Sequence, residues 1–242
     1  MSEIFAIDFG TTHTHCSAGQ TDSPNMESAS IEPGRNGTST VLLFKNGKYC
    51  IYGNMALEEY ANIVDQNDAQ YDLYVNFKPD IEHNPDAAEK AKCFLEKTAD
   101  TLKMGKDTQI IVGVPAGSDE GYRTTLKTLM KDRFGDVETI SEPLGALCHF
   151  LTKNTLSTSD VLYDVLVIDF GGGTCDFAYS RNGKTIDIKL KEGFHFGGRL
   201  FDDLFFQWWE AKNPEKAAEC PEDIKNLLLM LTLREAKERF ST

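Results

Sequence analysis

The sequence predicts a mixed α/β fold that contains two related halves. The phrase Ile-Asp-Phe-Gly-Thr-Thr at residues 7–12 returns as Ile-Asp-Phe-Gly-Gly-Gly-Thr at residues 168–174. Each copy follows an apolar run typical of a strand and precedes a second strand-like run. In both halves predicted strands come before predicted helices, as expected of α/β or α+β proteins. Because the copies lie too far apart for a solenoid repeat, we interpret them as equivalent turns of two half-domains.

The elements of the first half follow from hydrophobic periodicity and turn signals. Asn46 and Gly47 predict a tight hairpin turn. Apolar residues at helical spacing, from Ala87 to Leu102, predict one amphipathic helix. In chain order we predict strands over residues 4–18, strand ends and a loop over 20–37, two strands over 39–52, a helix over 86–104, a buried strand over 109–115, a helix over 118–133, a short strand at 138–140 and a helix over 143–153.

The second half begins after a polar stretch at residues 154–160, which is the best candidate for a linker. We expect strands on both sides of the second Gly turn and a further turn at Asn182 and Gly183. Helices are predicted over residues 200–212 and 222–240. The apolar run Leu-Leu-Leu-Met-Leu at residues 227–231 would need a partner to cover it.

Composition limits the classes of partner. The net charge of −13 argues against a nucleic-acid backbone or an anionic membrane as the main partner. It does not argue against a bound nucleotide, because a local pocket of N–H groups and Mg²⁺ can oppose the global field. No apolar run is long enough for a membrane span. The first residues lack a basic, apolar signal sequence, so we expect a cytoplasmic protein.

The six cysteines are scattered and contain no Cys-x-x-Cys pair. Most have apolar neighbours in the sequence, as Cys148 does, so we expect buried free thiols rather than disulfides or metal ligands. His13 and His15 are two residues apart and therefore lie on the same face of the predicted strand. A metal pair is one interpretation, but without a nearby carboxylate cluster the strand-surface interpretation is favoured.

The chemistry of the two turns points to a phosphate ligand. Glycine allows backbone N–H groups to approach a ligand without an intervening Cβ atom. Successive N–H groups form an anion-binding concavity, to which threonine hydroxyls add donors. An Asp at the end of the preceding strand suits a hydrated Mg²⁺ ion. An ordinary β-hairpin is the alternative for either copy alone, but the presence of two copies favours nucleotide phosphate.

Five short motifs occur in a fixed order along the chain. They are Asp-Phe-Gly-Thr-Thr at 8–12, Val-Pro-Ala at 114–116, Ser-Glu-Pro-Leu-Gly-Ala at 141–146, Asp-Phe-Gly-Gly-Gly-Thr-Cys-Asp at 169–176 and Phe-Gly-Gly-Arg-Leu-Phe-Asp at 196–202. Together they resemble the nucleotide-binding domain of the Hsp70 chaperone family, within the actin/hexokinase/Hsp70 superfamily. The resemblance spans nearly the whole chain, with a loose match over 20–105. It implies an actin-like ATPase (ribonuclease H-like) α/β fold.

The resemblance also implies a site for ATP or ADP with Mg²⁺. The implied phosphate-binding residues are Gly10, Thr11, Thr12 and His13 in the first turn, Gly171, Gly172, Gly173 and Thr174 in the second, and Gly197 and Gly198 beyond it. Asp8 and Asp169 would hold the hydrated metal. The implied catalytic residues are Lys78, Glu142, Asp169, Thr174 and Asp176.

Two of these roles have structural alternatives. Glu142 could be a carboxylate favoured by the helix dipole before Pro143. Lys78 could be an ordinary surface lysine.

Residues 233–241 resemble the family's adenosine-contacting helix, with Lys237 and Ser241 in matching places. Arg234 stands where the family usually has Glu, and Glu238 replaces an Arg that would stack on adenine, so a cation–π-type contact is lost. This puts nucleotide affinity or base preference in question. The alternative interpretation is an exposed charged helix.

The resemblance predicts the division of the chain and its activity. Residues 1–158 would form a complete lobe I, with an inserted subdomain at about 39–105, and residues 159–242 a partial lobe II. We expect a fragment of a chaperone ATPase in which hydrolysis drives a conformational switch. Unfolded clients and co-chaperones would bind through parts outside this chain. The alternatives are a small-molecule kinase of the same superfamily and a degenerate nucleotide-sensing or actin-like interaction protein.

Overall fold

The computed structural model describes residues 2–23, 25–63, 70–153, 157, 159–160, 164–181, 188–194 and 196–240. The predicted turn at Asn182 and Gly183, much of the predicted linker and Ser241 lie outside these residues.

The described chain begins with six strands, continues with a mixture of helices and strands, and ends in helices after a run of three strands. The strands are β1 (Glu3–Phe9), β2 (His13–Gln20), β3 (Met26–Ala29), β4 (Thr38–Ser39), β5 (Val41–Lys45), β6 (Tyr49–Tyr52), β7 (Tyr71–Val75), β8 (Gln109–Val114), β9 (Asp136–Ser141), β10 (Asp164–Phe170), β11 (Cys175–Arg181) and β12 (Ile188–Phe194). The helices are α1 (Asn54–Ile63), α2 (Pro85–Thr101), α3 (Glu120–Lys131), α4 (Glu142–Thr152), α5 (Gly198–Lys212), α6 (Pro214–Glu219), α7 (Glu222–Leu227) and α8 (Arg234–Phe240), with a 3₁₀ turn (Lys78–Asp80) and a π-helical segment (Leu228–Leu233).

The main sheet has the strand order β3-β2-β1-β8-β9, and β4 pairs with β2. Strand β1 runs antiparallel to β2 but parallel to β8, and β8 runs parallel to β9. The carboxyl ends of three parallel strands therefore meet at one edge of the sheet. Asp8 lies near the end of β1 and Glu142 directly follows β9, so the topology brings these two carboxylates to the same edge.

Helix α2 packs the core beneath the first Gly turn, as its apolar spacing predicted. Asn84 caps its N-terminus by accepting hydrogen bonds from two backbone N–H groups, and Pro85 starts the helix. Its buried residues are Ala87, Ala91, Phe94, Leu95, Thr98 and Ala99. The ring of Phe94 stacks on that of Phe9, the residue before Gly10, with centroids 5.9 Å apart. The turn therefore rests on a packed aromatic core.

The second Gly turn joins two strands of a separate sheet. Strands β10, β11 and β12 are antiparallel neighbours in that order. Asp169 and Asp176 are directly opposite each other in the β10–β11 pairing. The predicted strands on both sides of this turn are confirmed.

A third sheet, which we call the inserted sheet, has the order β6-β5-β7 and packs against α1. Asn46 and Gly47 have φ angles of 54° and 63°, so the predicted tight turn is confirmed. Leu227 packs against the buried cluster of this sheet and α1. The first residue of the apolar run at 227–231 is thus covered by the inserted sheet and α1.

Several elements differ from the sequence prediction. Strand β3 lies in the segment predicted as a loop. The sequence pattern missed it because it is a short edge strand of polar sequence. Helix α1 and strand β7 fall in the segment where the sequence pattern was weakest. The predicted helix over 222–240 is interrupted by the π-helical residues Leu228–Leu233. The sequence did not predict this interruption, because the i→i+5 hydrogen bonds of a π-helix leave no distinct hydrophobic period.

One apolar surface is exposed around the second sheet. Its side chains come from β10, from α5 and from Phe196, which lies between β12 and α5; they are Leu166, Ile168, Phe170, Phe196, Leu200, Phe201, Leu204, Phe205 and Trp208. Cys148 is also exposed, contrary to the expectation that it is buried. Among the helices of the described ranges, none combines the length and apolar character that a membrane crossing requires.

Candidate functional site

Both glycine turns line one cavity of about 600 Å³. The first turn contributes Thr11, Thr12 and His13 to its wall, and the second contributes Gly171 and Gly172. Other wall residues come from the inserted sheet, α1, α5, the π-helical segment and α8: Val41, Leu57, Val75, Gly198, Arg199, Leu229, Arg234 and Lys237. The structure thus brings together two turns that lie far apart in the sequence.

The two turns are in direct contact. A Cβ atom placed on Gly172 would lie 2.3 Å from Thr12 Oγ1 and 2.9 Å from Thr12 Cβ. A Cβ atom on Gly173 would lie 3.2 Å from Thr11 Oγ1. No side chain fits between the turns, so glycine is required here by the close approach of the other half.

Thr40, the residue between β4 and β5, holds the first turn by hydrogen bonds. Its hydroxyl donates to the carbonyl of Gly10 over 2.8 Å, and its backbone N–H donates to the carbonyl of Thr12 over 2.9 Å. The hydroxyl also contacts that of Thr14, 2.9 Å away. Sequence reasoning missed Thr40. Its only signal is a buried polar residue directly before the apolar strand β5.

The start of α5 holds the second turn through backbone hydrogen bonds. The N–H of Gly198 donates to the carbonyl of Gly171 over 3.0 Å, and that of Arg199 donates to Gly172 over 2.8 Å. A Cβ atom on Gly197 would lie 2.6 Å from the carbonyl carbon of Gly173. Both glycines predicted from the sequence therefore lie at this turn, Gly198 on the cavity wall and Gly197 packed against the backbone.

Lys78 and Glu142 form an ion pair at the edge of the main sheet, with Nζ and Oε1 3.1 Å apart. The Lys78 side chain is 5% exposed and that of Glu142 is 17% exposed, so water screens the pair weakly. Glu142 also packs closely on β8, since a Cβ atom on Gly113 would lie 3.2 Å from Glu142 Cγ. Lys78 is therefore a buried partner of Glu142 rather than a surface lysine.

Burial raises the pKa of Glu142. Lys78 opposes this effect by lowering the pKa, and the negative charges of Asp8 and Asp169 add to the rise. Glu142 thus holds a proton more readily than an exposed glutamate, which favours a role as a proton acceptor.

Asp169 faces two other carboxylates. Burial raises its pKa, and Asp8 and Asp176 raise it further, whereas Lys78 lowers it. Asp176 is buried and accepts a hydrogen bond from the Thr174 hydroxyl over 2.8 Å. A divalent cation would relieve the repulsion between Asp8 and Asp169, so these residues fit one.

Within the described ranges, no group of three or more His, Cys, Asp or Glu side chains is arranged to hold a metal ion.

Helix α8 reaches both turns from the other side of the cavity. The Lys237 ammonium lies 2.8 Å from Asp202 Oδ1 and donates to the Gly198 carbonyl over 2.9 Å. The Arg234 guanidinium contacts the His13 imidazole, with Nη2 and Nε2 2.7 Å apart. Arg234 therefore joins α8 to the first strand pair, a contact that the sequence did not predict. Ser241 and the side chain of Glu238 lie outside the described part of the chain.

Comparison with known proteins bears on the fold. No protein-family model matches the sequence. The crystal structure of MreB5 of Spiroplasma citri bound to AMPPNP matches with a TM-score of 0.64 and 19% identity, over 87% of this chain and 57% of the MreB5 chain. The structure of MreB5 bound to ADP matches with the same TM-score and coverage at 18% identity. The chain has an actin-like fold.

The actin-like fold confirms the fold class that the motif resemblance implied. The chain spans 57% of the length of the MreB5 structures, so the match corresponds to part of that fold. Because the sequence identity is 18–19%, the similarity to MreB5 concerns the fold alone. The narrower resemblance to Hsp70 rests on the sequence motifs.

Proposed function

We propose that the chain binds Mg²⁺ with ATP or ADP in the cavity that its two glycine turns line and hydrolyses ATP as an Hsp70-type conformational switch. The observation that carries this proposal is the contact of Gly172 with Thr12 at the edge of a cavity that both turns line. The volume of about 600 Å³ lies within the usual range for small-molecule and cofactor sites.

The phosphates would lie against the two turns. Backbone N–H groups and the hydroxyls of Thr11 and Thr12 supply donors without a side chain in the way. The fixed glycine contacts hold these donors before the ligand arrives, so little ordering is needed on binding. This is the arrangement that phosphoryl transfer needs, since its catalysis is mostly positioning and charge stabilisation.

Asp8 and Asp169 would hold the waters of a Mg²⁺ ion from opposite halves. The ion would neutralise charge on the phosphates when bound. Binding of the metal would also remove the mutual repulsion that raises the pKa of Asp169. Nucleotide and metal binding are therefore coupled through these carboxylates.

Glu142 would orient the attacking water, and Lys78 would hold Glu142 in place. The carboxylate is fixed by the ion pair and by close packing on Gly113. Its raised pKa suits proton acceptance. Asp176, held by the Thr174 hydroxyl, would supply a second oriented carboxylate next to Asp169.

The nucleoside would lie towards α8. Lys237 and Arg234 are the cations of this wall, and both already have partners, Asp202 and His13. A nucleoside must therefore compete with these contacts or bind beside them. This agrees with the expectation that affinity or base preference departs from the Hsp70 pattern.

The composition of the cavity wall supports the proposed conformational switch. Residues of the main sheet, the inserted sheet, α5 and α8 all contribute to it. A ligand that contacts all of them favours the arrangement in which they are close. In an Hsp70-type protein this change would be passed to chaperone clients and co-chaperones, which we propose on the sequence resemblance.

Calorimetric titration of the 242-residue chain with Mg-ADP and with a non-hydrolysable ATP analogue tests binding, and phosphate release from ATP tests turnover. We expect binding tighter than about 1 mM, with loss of turnover in Thr174→Ala and Asp169→Ala. Absence of binding at that concentration overturns the proposal. Binding with unchanged turnover in both variants contradicts the enzymatic part and favours a nucleotide-sensing interaction protein.

A further inference from the structure

Two cysteines outside the cavity face each other between the inserted sheet and α2. Cys50 lies on β6 and Cys93 lies on α2, 43 residues further along the chain, with their sulfur atoms 3.9 Å apart. Both are free thiols and both are half-buried, so a small reagent can reach them. Neither takes part in the site proposed for nucleotide.

The packing around the pair holds the two elements together. The ring of Tyr52 on β6 meets that of Phe94 on α2 edge to face, with centroids 5.7 Å apart. The Lys90 ammonium of α2 lies 4.4 Å from the ring centroid of Tyr74 on β7. Both contacts join α2 to the inserted sheet, so the separation of the two cysteines is set by packed elements rather than by a loose loop.

The two thiols have different acidities. Hydrogen bonding with Cys50 lowers the pKa of the Cys93 thiol to about 7, against its burial, and Lys97 and Lys90 lower it further while Glu96 raises it. The same hydrogen bond raises the pKa of Cys50. Cys93 is thus the more readily ionised thiol of the pair, which makes it the nucleophile.

We propose that Cys50 and Cys93 form a reversible disulfide that ties the inserted sheet to α2. A disulfide bond requires the sulfur atoms to approach by roughly 1.9 Å from their present separation. Side-chain rotation at two half-buried positions can supply much of this movement. The device is a redox-sensitive tether built on facing thiols, and it does not depend on the function proposed for the cavity.

The oxidant would be a low-molecular-weight disulfide of the glutathione class. The Cys93 thiolate attacks one sulfur of this disulfide, which forms a mixed disulfide and releases one small thiolate. The Cys50 thiol then gives its proton to solvent and attacks the Cys93 sulfur, which releases the second small thiolate. Two protein thiols are oxidised by two electrons, and one small disulfide is reduced to two thiols.

The tether would act on one wall of the cavity. Val41 on β5 and Val75 on β7 belong to the inserted sheet and line the cavity, whereas Phe94 anchors α2 beneath the first turn. Oxidation would therefore restrict movement of the inserted sheet relative to the core that carries this turn. Slower backbone hydrogen exchange over β5–β7 is the direct consequence.

Equilibration of the chain with mixtures of oxidised and reduced glutathione, followed by alkylation and peptide mass mapping, tests the proposal. We expect one linked peptide pair that contains Cys50 and Cys93, with loss of two hydrogen atoms, reversed by dithiothreitol. We also expect the melting temperature of the oxidised chain to rise by about 5 °C, because the bond closes a long loop. Hydrogen exchange over β5–β7 should slow only in the oxidised form.

Matched serine variants separate a specific pair from random oxidation. Cys50→Ser and Cys93→Ser should abolish the linked peptide and the rise in melting temperature, whereas Cys148→Ser, at an exposed cysteine, should keep both. Mapping of the wild-type chain decides the question even if a variant fails to fold. Linkage of Cys50 or Cys93 mainly to other cysteines, or only glutathione adducts at Cys93, overturns the proposal.

Discussion

The Nζ atom of Lys78 lies 3.1 Å from Oε1 of Glu142, although 64 residues separate the two in the sequence. Lys78 begins the 3₁₀ turn after β7, and Glu142 is the first residue of α4 after β9. The pair joins the segment that follows the inserted sheet to the carboxyl edge of the main sheet. It also places a buried cation among the carboxylates of Asp8, Asp169 and Glu142.

Substitution of Glu142 by Gln should reduce ATP turnover about 100-fold or more, because the amide cannot accept a proton from water. Nucleotide affinity should stay within about threefold of wild type, since the phosphates contact the turns. Glu138→Gln, at an exposed carboxylate on β9, is the control and should keep turnover. Equal loss of affinity and turnover in Glu142→Gln would show that Glu142 acts in binding instead.

The stability of the chain should depend on the titration of Glu142. The pKa of Glu142 is raised in the folded state above its ordinary value of 4.5, so the folded chain binds this proton more tightly than the unfolded chain. The contribution of Glu142 to the free energy of unfolding is therefore largest at pH below 4.5 and declines as pH rises through the folded-state pKa. Above that pKa the contribution is constant.

Denaturant unfolding of wild type and Glu142→Gln across about pH 4 to 8 measures this contribution. We expect the free-energy difference between the two proteins to shift in favour of Glu142→Gln as pH rises. A difference that is independent of pH would mean that burial does not raise the pKa of Glu142.

Removal of Lys78 alone should be more harmful than removal of the whole pair. Lys78→Met leaves a buried carboxylate without its partner and should lower the free energy of unfolding by about 3 kcal/mol. Glu142→Gln added to Lys78→Met should recover much of this loss, because the buried Glu142 carboxylate that lost its partner is then replaced by a neutral amide. Additive losses in the double variant, measured by urea unfolding, would argue against direct coupling.

Gly197 should tolerate no side chain. A Cβ atom there would lie 2.6 Å from the carbonyl carbon of Gly173 and 2.7 Å from the carbonyl oxygen of Gly172, so the second turn would have to move. We expect Gly197→Ala to lose about tenfold or more in nucleotide affinity by calorimetry.

Gly145→Ala is the matched control for Gly197→Ala. Gly145 lies within α4, and a Cβ atom there meets nothing within 4 Å. This variant should keep the nucleotide affinity and gain up to about 1 kcal/mol in stability, since alanine favours the helix. If both variants bind nucleotide like wild type, the second turn is not part of the binding site.

Magnesium should bind through Asp169 together with nucleotide. In the wild type, ADP with Mg²⁺ should raise the melting temperature more than ADP with a chelator. Asp169→Asn should abolish this difference and should not lower the stability of the ligand-free chain, because it removes a carboxylate repelled by Asp8 and Asp176. Asp107→Asn, in an exposed turn, should behave as wild type. A Mg²⁺ effect that persists in Asp169→Asn would place the ion elsewhere.

Local sequence was sufficient for the elements with strong patterns. The spacing of Ala87, Phe94 and Thr98 predicted the buried face of α2, and Asn46 with Gly47 predicted the hairpin turn. Helix α1 and strand β7 were missed because each is short and gains its stability from packing in the inserted sheet. Propensity is a weak guide where tertiary contacts decide.

The candidate site could be predicted only in part. The turns at Gly10 and Gly172 were identified because close backbone approach to an anion demands glycine, which is visible in sequence. Thr40 and Gly113 were missed, since their roles depend on which strand lies next to them. Arg234 was expected on a helix that contacts adenosine, but the structure places its guanidinium on His13.

Local sequence was enough to predict the two Asp-Phe-Gly turns and the strands around them, because these depend on short-range periodicity and on the special backbone of glycine. The actin-like class of fold was predicted by the resemblance of the motifs to a known family. Only the tertiary structure decided that Gly172 meets Thr12, that Lys78 pairs with Glu142 and that Cys50 faces Cys93. Each of these contacts joins residues that are distant in the chain. Their proximity follows from strand order and from the packing of whole elements, and no local pattern encodes either one.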